Sequence, residues 1–259
     1  MNKLLLYKEN KTEMRKEVSK SNLKDVIEVI KKESLDDYKY RTDSGYIKKR
    51  SSKDSIINRK FIDKTARISL EHAQKFYLYE HSIVHKKKLD KLGYIITYEL
   101  PFFKKRIGGA IDLVAYDEKS NTINLIEMKN CAMGEKKDSS ESLIRAVLEI
   151  ETYTKFFIDI IKQEKDSNEL LKEISGELES LYGINVSVEK LKTAKIQKTL
   201  LLPKSLYDYS FKNAIESVIL RNMPEDIKKH FISLKDKNFN ANQRIVDVAK
   251  EDNLIFNIE

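Results

Sequence analysis

The stretch Ile107–Asn130, IGGAIDLVAYDEKSNTINLIEMKN, decides how the rest of the chain is read. Two apolar runs, Ala110–Tyr116 and Thr122–Met128, flank the polar segment Asp117–Asn121. Short β-rich runs around a turn-forming cluster predict a hairpin. Each run carries an acid where a strand should be apolar: Asp112 within Ile-Asp-Leu-Val, and Glu127 within Leu-Ile-Glu-Met-Lys. Side chains on a strand alternate faces, so Glu127 and Lys129 share one face and Met128 takes the other. The hairpin then brings Asp112 beside that pair. Two carboxylates converging in a half-buried place repel each other and resist desolvation. A divalent cation is the natural compensation, and hard oxygen ligands suit Mg²⁺ or Mn²⁺. A lysine at the edge of such a site can hold an attacking water or offset charge building on a phosphate. The plain alternative is a surface Glu–Lys pair with an Asp at a strand end. Gly108-Gly109 ahead of the Asp, the apolar frames and the intervening turn favour the site.

G-G-x-I-D-L-V followed by L-I-E-M-K resembles the core of the PD-(D/E)xK nuclease superfamily, which includes restriction endonucleases, Holliday-junction resolvases and RecB-like nucleases. The resemblance assigns the family's aspartate to Asp112, its glutamate to Glu127 and its lysine to Lys129. Ile111 stands where the family usually has Pro. The same resemblance implies a restriction-endonuclease-like fold and Mg²⁺ (or Mn²⁺) held by Asp112, Glu127 and the main-chain carbonyl of Met128. It implies products with 5′-phosphate and 3′-hydroxyl ends, and DNA as the more common substrate. Such folds usually supply another glutamate from a helix before the sheet. EHSIVHKKKLDKLGYIITYELPF resembles that lead-in, so Glu80 is the first choice, Glu71 the second and Glu99 the third. His81 and His85 stand at i,i+4, but Glu80 precedes both, so this is not the H-E-x-x-H zinc arrangement.

At 259 residues the chain can bury a proper core. Charged residues make up 35% and Gly and Pro are few, which suits a helix-rich α/β protein. The single cysteine, Cys131, rules out an intramolecular disulfide and fits a reducing compartment. The apolar run Leu4–Leu6 is too short for a signal peptide, and no stretch is long and apolar enough to span a bilayer. The expected location is the cytoplasm, with no membrane partner. The net charge of +8 is uneven: residues 1–60 hold 17 Lys/Arg against 10 Asp/Glu, and the remainder holds 32 against 31. A basic segment beside a phosphodiester-cutting site suggests a nucleic-acid grip. From Tyr38 to Lys60 the chain reads YKYRTDSGYIKKRSSKDSIINRK, where Tyr38, Tyr40 and Tyr46 could stack bases while Lys48, Lys49 and Arg50 meet phosphates. A flexible linker has the same composition. The expected division is a basic, partly helical extension over 1–60 and a nuclease-like domain over 61–259.

Asn22 predicts a capped helix to about Lys32 with Leu23, Val26, Ile27 and Ile30 on one stripe. A long helix is expected from about Ser69 to Leu92, ended by Gly93. Strand Tyr94–Leu100 then leads through Pro101 and the basic Lys104, Lys105 and Arg106 into the hairpin. Asp138-x-x-Glu141 resembles a capping box opening the next long helix, whose apolar contacts are Leu143, Val147, Ile150, Phe157 and Ile161. Arg145, Glu149 and Tyr153 share a face of it. RecB-like nucleases carry Q-x-x-x-Y there, contacting substrate or buttressing the site; this chain keeps the spacing as Glu149-x-x-x-Tyr153. Arg145 and Tyr153, with Lys104–Arg106, are the domain's own candidates for nucleic-acid contact. Further on, the pattern predicts a helix over Ser167–Tyr182, an edge strand over Ile184–Val188 and a strand over Lys195–Pro203. A helix is expected over Ser210–Arg221 with Phe211, Ala214, Val218 and Ile219 inward, and another from Pro224. Arg244–Val248 and Leu254–Ile258 read as short strands. The expected architecture is a mixed central sheet flanked by helices, in the order helix, three strands, helix, strand. The expected function is metal-dependent hydrolysis of nucleic acid, with a homodimer possible. A sequence-specific restriction endonuclease and a catalytically silent binding module of the same fold are the alternatives.

Overall fold

Strands that are apolar on both faces need cover on both faces, and the central hairpin is built that way. The computed structural model describes Leu6 and residues 11–33, 70–101, 109–129, 142–162, 164–235 and 251–259. Strands β1 (Tyr94–Pro101), β2 (Ala110–Asp117), β3 (Thr122–Met128), β4 (Lys195–Leu202), β5 (Ile227–Leu234) and β6 (Phe256–Ile258) form one six-stranded sheet in that spatial order. β1–β2, β2–β3 and β5–β6 pair antiparallel, whereas β3–β4 and β4–β5 pair parallel, so the sheet is mixed. Val114, Tyr116, Ile123, Leu125, Leu200 and Leu202 enter one hydrophobic cluster. Leu113, Ala115, Ile126, Met128 and Leu201 enter a second. The alternation predicted for the hairpin therefore holds, with Met128 on the face opposite Leu125.

Helix α4 (Leu143–Lys162) fills the first cluster, together with α5 (Glu164–Tyr182), α1 (Lys11–Ser21) and α2 (Leu23–Lys32). Asn22 caps α2 by accepting from the Asp25 N–H at 3.0 Å, and Leu23, Val26, Ile27 and Ile30 are all buried. Met14, Val18 and this stripe belong to the same cluster as α4. From Lys11 to Glu33 the basic N-terminal region thus contributes to the main core; residues 38–60, where the boundary is expected, lie outside the described residues. Helix α3 (Leu70–Val84) covers the other face through Phe76, Tyr77, Leu78 and Tyr79. The order α3, β1–β3, α4, β4 follows the expected plan, with α5 and α6 (Val188–Lys192) inserted before β4.

Several boundaries differ from expectation for identifiable reasons. α3 stops at Val84, not Leu92: Lys87 N bonds to Ser82 O and Lys86 N to Ile83 O, with Lys86 at φ +48. That is a Schellman ending with lysine in the place glycine usually takes. Gly93 does need its φ of +105, but for the turn into β1, where a Cβ would meet the Tyr116 carbonyl. Ile184–Val188 is no strand; it follows α5, and Ser187 caps α6. Ser210–Arg221 is two helices, α7 (Lys204–Lys212) and α8 (Ala214–Leu220). Asn213 breaks them apart by accepting from the Ile215 and Glu216 N–H groups, both at 3.1 Å. The break resets the phase, so Ala214 and Val218 are exposed while Ile219 stays buried. Pro224 opens a turn into β5, not a helix, because Ile227–Leu234 finds its backbone partners on β4. The C-terminal strand is shorter than Leu254–Ile258, and both Arg244–Val248 and Asp138–Glu141 lie outside the described residues.

Candidate metal centre

The register of the sheet sets three acids side by side. Leu113 pairs with Ile126, so one step further puts Asp112 opposite Glu127. Tyr98 pairs with Leu113 and Leu100 with Ile111, so Glu99 stands opposite Asp112. Asp112 and Glu127 are both buried, at 6% and 3% exposure. Asp112 Oδ2 accepts from the Met128 N–H at 2.8 Å, and Asp112 Oδ1 accepts from Lys75 Nζ at 2.8 Å. In an extended strand the N–H and C=O of one residue point to the same side. The Met128 carbonyl is therefore directed toward Asp112 as well.

Lys129 lies on the Glu127 side, as the alternation predicts. Its ammonium donates to Glu127 Oε1 at 2.8 Å and to Glu149 Oε2 at 2.7 Å. Glu149, the glutamate in the Q-x-x-x-Y position, thus shares the Lys129 ammonium with Glu127. Tyr153, one turn further along α4, is buried, and a Cβ built at Gly109 would overlap its ring. Its place under the start of β2 fits a buttress rather than an exposed contact. Arg145 is part-exposed near the start of the same helix.

Among the described partners of Asp112 are Lys75 and Met128, not Glu80. Glu80 is buried further along α3, where its charge adds to the burial that lifts the Tyr182 phenol above its ordinary range. That phenol bonds to Ile95 O at 2.7 Å, at the end of β1 away from Glu99. The acid brought to this corner is the third choice, Glu99, whose Oε1 lies 3.4 Å from Lys75 Nζ. Glu71 belongs to α3 one turn before Lys75, with its side chain outside the described residues. Lys48, Lys49, Arg50, Lys104, Lys105 and Arg106 also lie outside them. Lys75 is the participant that sequence reasoning misses. Its signal is faint: a lysine at the head of the run Phe76-Tyr77-Leu78-Tyr79, on a helix with little solvated face.

Burial, above all, holds the Glu127 carboxyl well above the ordinary carboxylate range; the charges of Asp112 and Glu149 push the same way, and Lys129 opposes them. Among the described residues, Glu127 Oε2 is buried with no hydrogen-bond partner. A buried acceptor left open costs free energy unless something fills it. The donor set fits Mg²⁺ or Mn²⁺, which need only one or two carboxylates with carbonyl and water oxygens. Among the described residues no group of three or more His, Cys, Asp or Glu side chains is gathered tightly enough to hold a metal unaided. None of the described helices is long and apolar enough to cross a membrane. Comparison of the chain with family models, with curated proteins and with solved structures gives no match.

Proposed function

We propose that the chain is a metal-dependent nuclease of the PD-(D/E)xK type on a restriction-endonuclease-like sheet, hydrolysing nucleic-acid phosphodiester bonds, with DNA the expected substrate. The observation that carries this reading is the buried Oε2 of Glu127, without a hydrogen-bond partner among the described residues, beside Asp112 and with Lys129 on the same face. Asp112, Glu127 and the Met128 carbonyl would hold Mg²⁺ or Mn²⁺. When bound, such an ion lowers the pKa of a coordinated water and offsets charge on a phosphoryl oxygen. Lys129 lies between Glu127 and Glu149, and from there its ammonium can orient a water. Glu149 keeps that lysine in place from α4, and Tyr153 seats α4 against the start of β2. The Met128 N–H fixes the Asp112 carboxylate, which reduces the reorganisation needed when substrate arrives. Glu99 is the acid that faces Lys75 at this corner.

A second reading has its own support. Lys75 and Lys129 already give each metal acid an ammonium partner, as a silent binding module of the same fold would need. Incubation of the full chain with linear, circular and branched DNA, with and without Mg²⁺ or Mn²⁺, separates the readings. Metal-dependent cutting that Asp112→Ala and Lys129→Ala each abolish is the expected result. Discrete fragments would identify a restriction-type endonuclease, and progressive shortening an exonuclease. Mobility shifts without cutting, on DNA and RNA alike, would leave the binding module.

A further inference from the structure

Asp112 has two oxygens, and both are engaged in different ways. Oδ2 takes the Met128 main-chain N–H, a donor fixed by the β3 backbone. Oδ1 takes Lys75 Nζ at 2.8 Å, a donor on a flexible side chain. A cation coordinating Asp112 therefore meets the lysine rather than the backbone. Mg²⁺ binds carboxylate oxygen at about 2.0–2.1 Å, so an ammonium on the same oxygen would sit against it as a like charge. The lysine has to move. It has little route to water, since its side chain is only 7% exposed. A buried ammonium with no acceptor is costly, so its displacement requires a second acid within reach.

Glu99 is that acid. Its Oε1 is 3.4 Å from Lys75 Nζ, and its side chain is 40% exposed, at the rim of the site. Its backbone carries a separate mark. Glu99 has φ +51 within strand β1, a conformation that is strained for a residue other than glycine. The fold keeps that strain at the one β1 position that stands opposite Asp112.

We propose that Lys75 and Glu99 form an exchange couple for the metal centre: the Lys75 ammonium occupies Asp112 until a divalent cation takes its place, and Glu99 is the acceptor onto which it then moves. The inference rests on the metal-centre reading and adds two positioning residues to it. Coupling of this kind is reciprocal, so whatever weakens the lysine's hold on Asp112 strengthens the cation's.

Calorimetric titration of the full chain with Mn²⁺ and with Mg²⁺ tests it without relying on turnover. Lys75→Met should tighten cation binding by about tenfold or more, in the usual range of coupling between sites. Glu99→Gln should weaken it several-fold, because the displaced lysine loses the acceptor 3.4 Å away. In the Lys75→Met background Glu99→Gln should have no further effect. Lys75→Arg, which keeps the charge, should bind no tighter than the parent. Thermal melts of each variant establish folding, and Lys75→Gln replaces Lys75→Met should the latter fail to fold. Unchanged or weaker binding in the folded, charge-removed Lys75 variant would overturn the couple. So would a Glu99→Gln loss that persists without Lys75, since Glu99 would then be a ligand in its own right. Asp112→Ala tells the two layers apart. Loss of binding there with no gain from removing Lys75 rejects only the exchange. Equal binding by parent and Asp112→Ala, or none by the parent, rejects the centre and the couple together.

Discussion

Glu127 sets the conflict between stability and use at the residue scale. Its carboxyl is held high mainly by burial, then by Asp112 and Glu149. A group whose folded value lies above its unfolded one contributes stability that is fully present below the unfolded value and lost as pH rises through the folded value. At neutral pH the charge therefore weighs against the metal-free fold. Glu127→Gln should raise the stability of the metal-free chain at pH 7 by about 0.5–2 kcal/mol, the usual gain from relieving such a site. The gain should shrink as pH falls toward the ordinary carboxylate range, and cation binding should be lost. Urea unfolding in chelator-treated buffer at several pH values checks it; a variant less stable than the parent at pH 7 would contradict the electrostatic account. Asp112, Glu127 and Lys129 were legible in the sequence because acids inside apolar strand frames are conspicuous, and strand periodicity alone sets Glu127 and Lys129 together. Lys75 was not, and Glu99 was reached only as the third choice for the further acid. One is joined to Asp112 only by the docking of α3, and the other depends on a β1–β2 register and a positive φ that no local pattern announces.

Elements were legible where their own chemistry closes them. Asn22 capped α2 as its side chain demands, and β4 emerged as the strand that KIQKTLLLP spells. Boundaries failed where a competing local device intervened: the Schellman turn at Lys86, the Asn213 cap and the β4 partner that draws Ile227–Leu234 into the sheet. The seating of α4 on β2 is another such device, and it bears on the site. Gly109 leaves room for the Tyr153 ring three residues before Asp112. Gly109→Ala should force ring and backbone apart, costing about 1–3 kcal/mol as overpacking generally does. It should also weaken cation binding, since the start of β2 carries Asp112. Because the ring is the obstacle, combining it with Tyr153→Leu should cost less than the two changes separately. Denaturant midpoints of the two single variants and the double variant measure this. Strict additivity would mean that glycine and tyrosine do not share the space.

Charge asymmetry is a property of the whole molecule, and the fold changes how it is to be tested. The excess of Lys and Arg over residues 1–60 suggests a phosphate-binding arm. Removing that region outright would confuse two effects. Leu23, Val26, Ile27 and Ile30 are 0–1% exposed within the α4 cluster, so their loss would open the core. The separable part is the basic run Lys48, Lys49 and Arg50. Changing all three to glutamine in the full chain removes charge and leaves α1 and α2 in place. If the run grips the backbone, the slope of log K against log salt should fall by roughly 0.7–0.9 for each phosphate that is no longer neutralised. Freeing three phosphates would lower it by about 2 to 3. The matching triple change at Lys104, Lys105 and Arg106 supplies the comparison, because these residues lie a few positions ahead of the strand that carries Asp112. Binding is measured with a metal chelator present, so that cutting does not consume the DNA. A slope that falls for the first triple locates the grip in the N-terminal arm. A slope that stays for the first and falls for the second reduces the arm to a solvated connection and moves the grip beside Asp112.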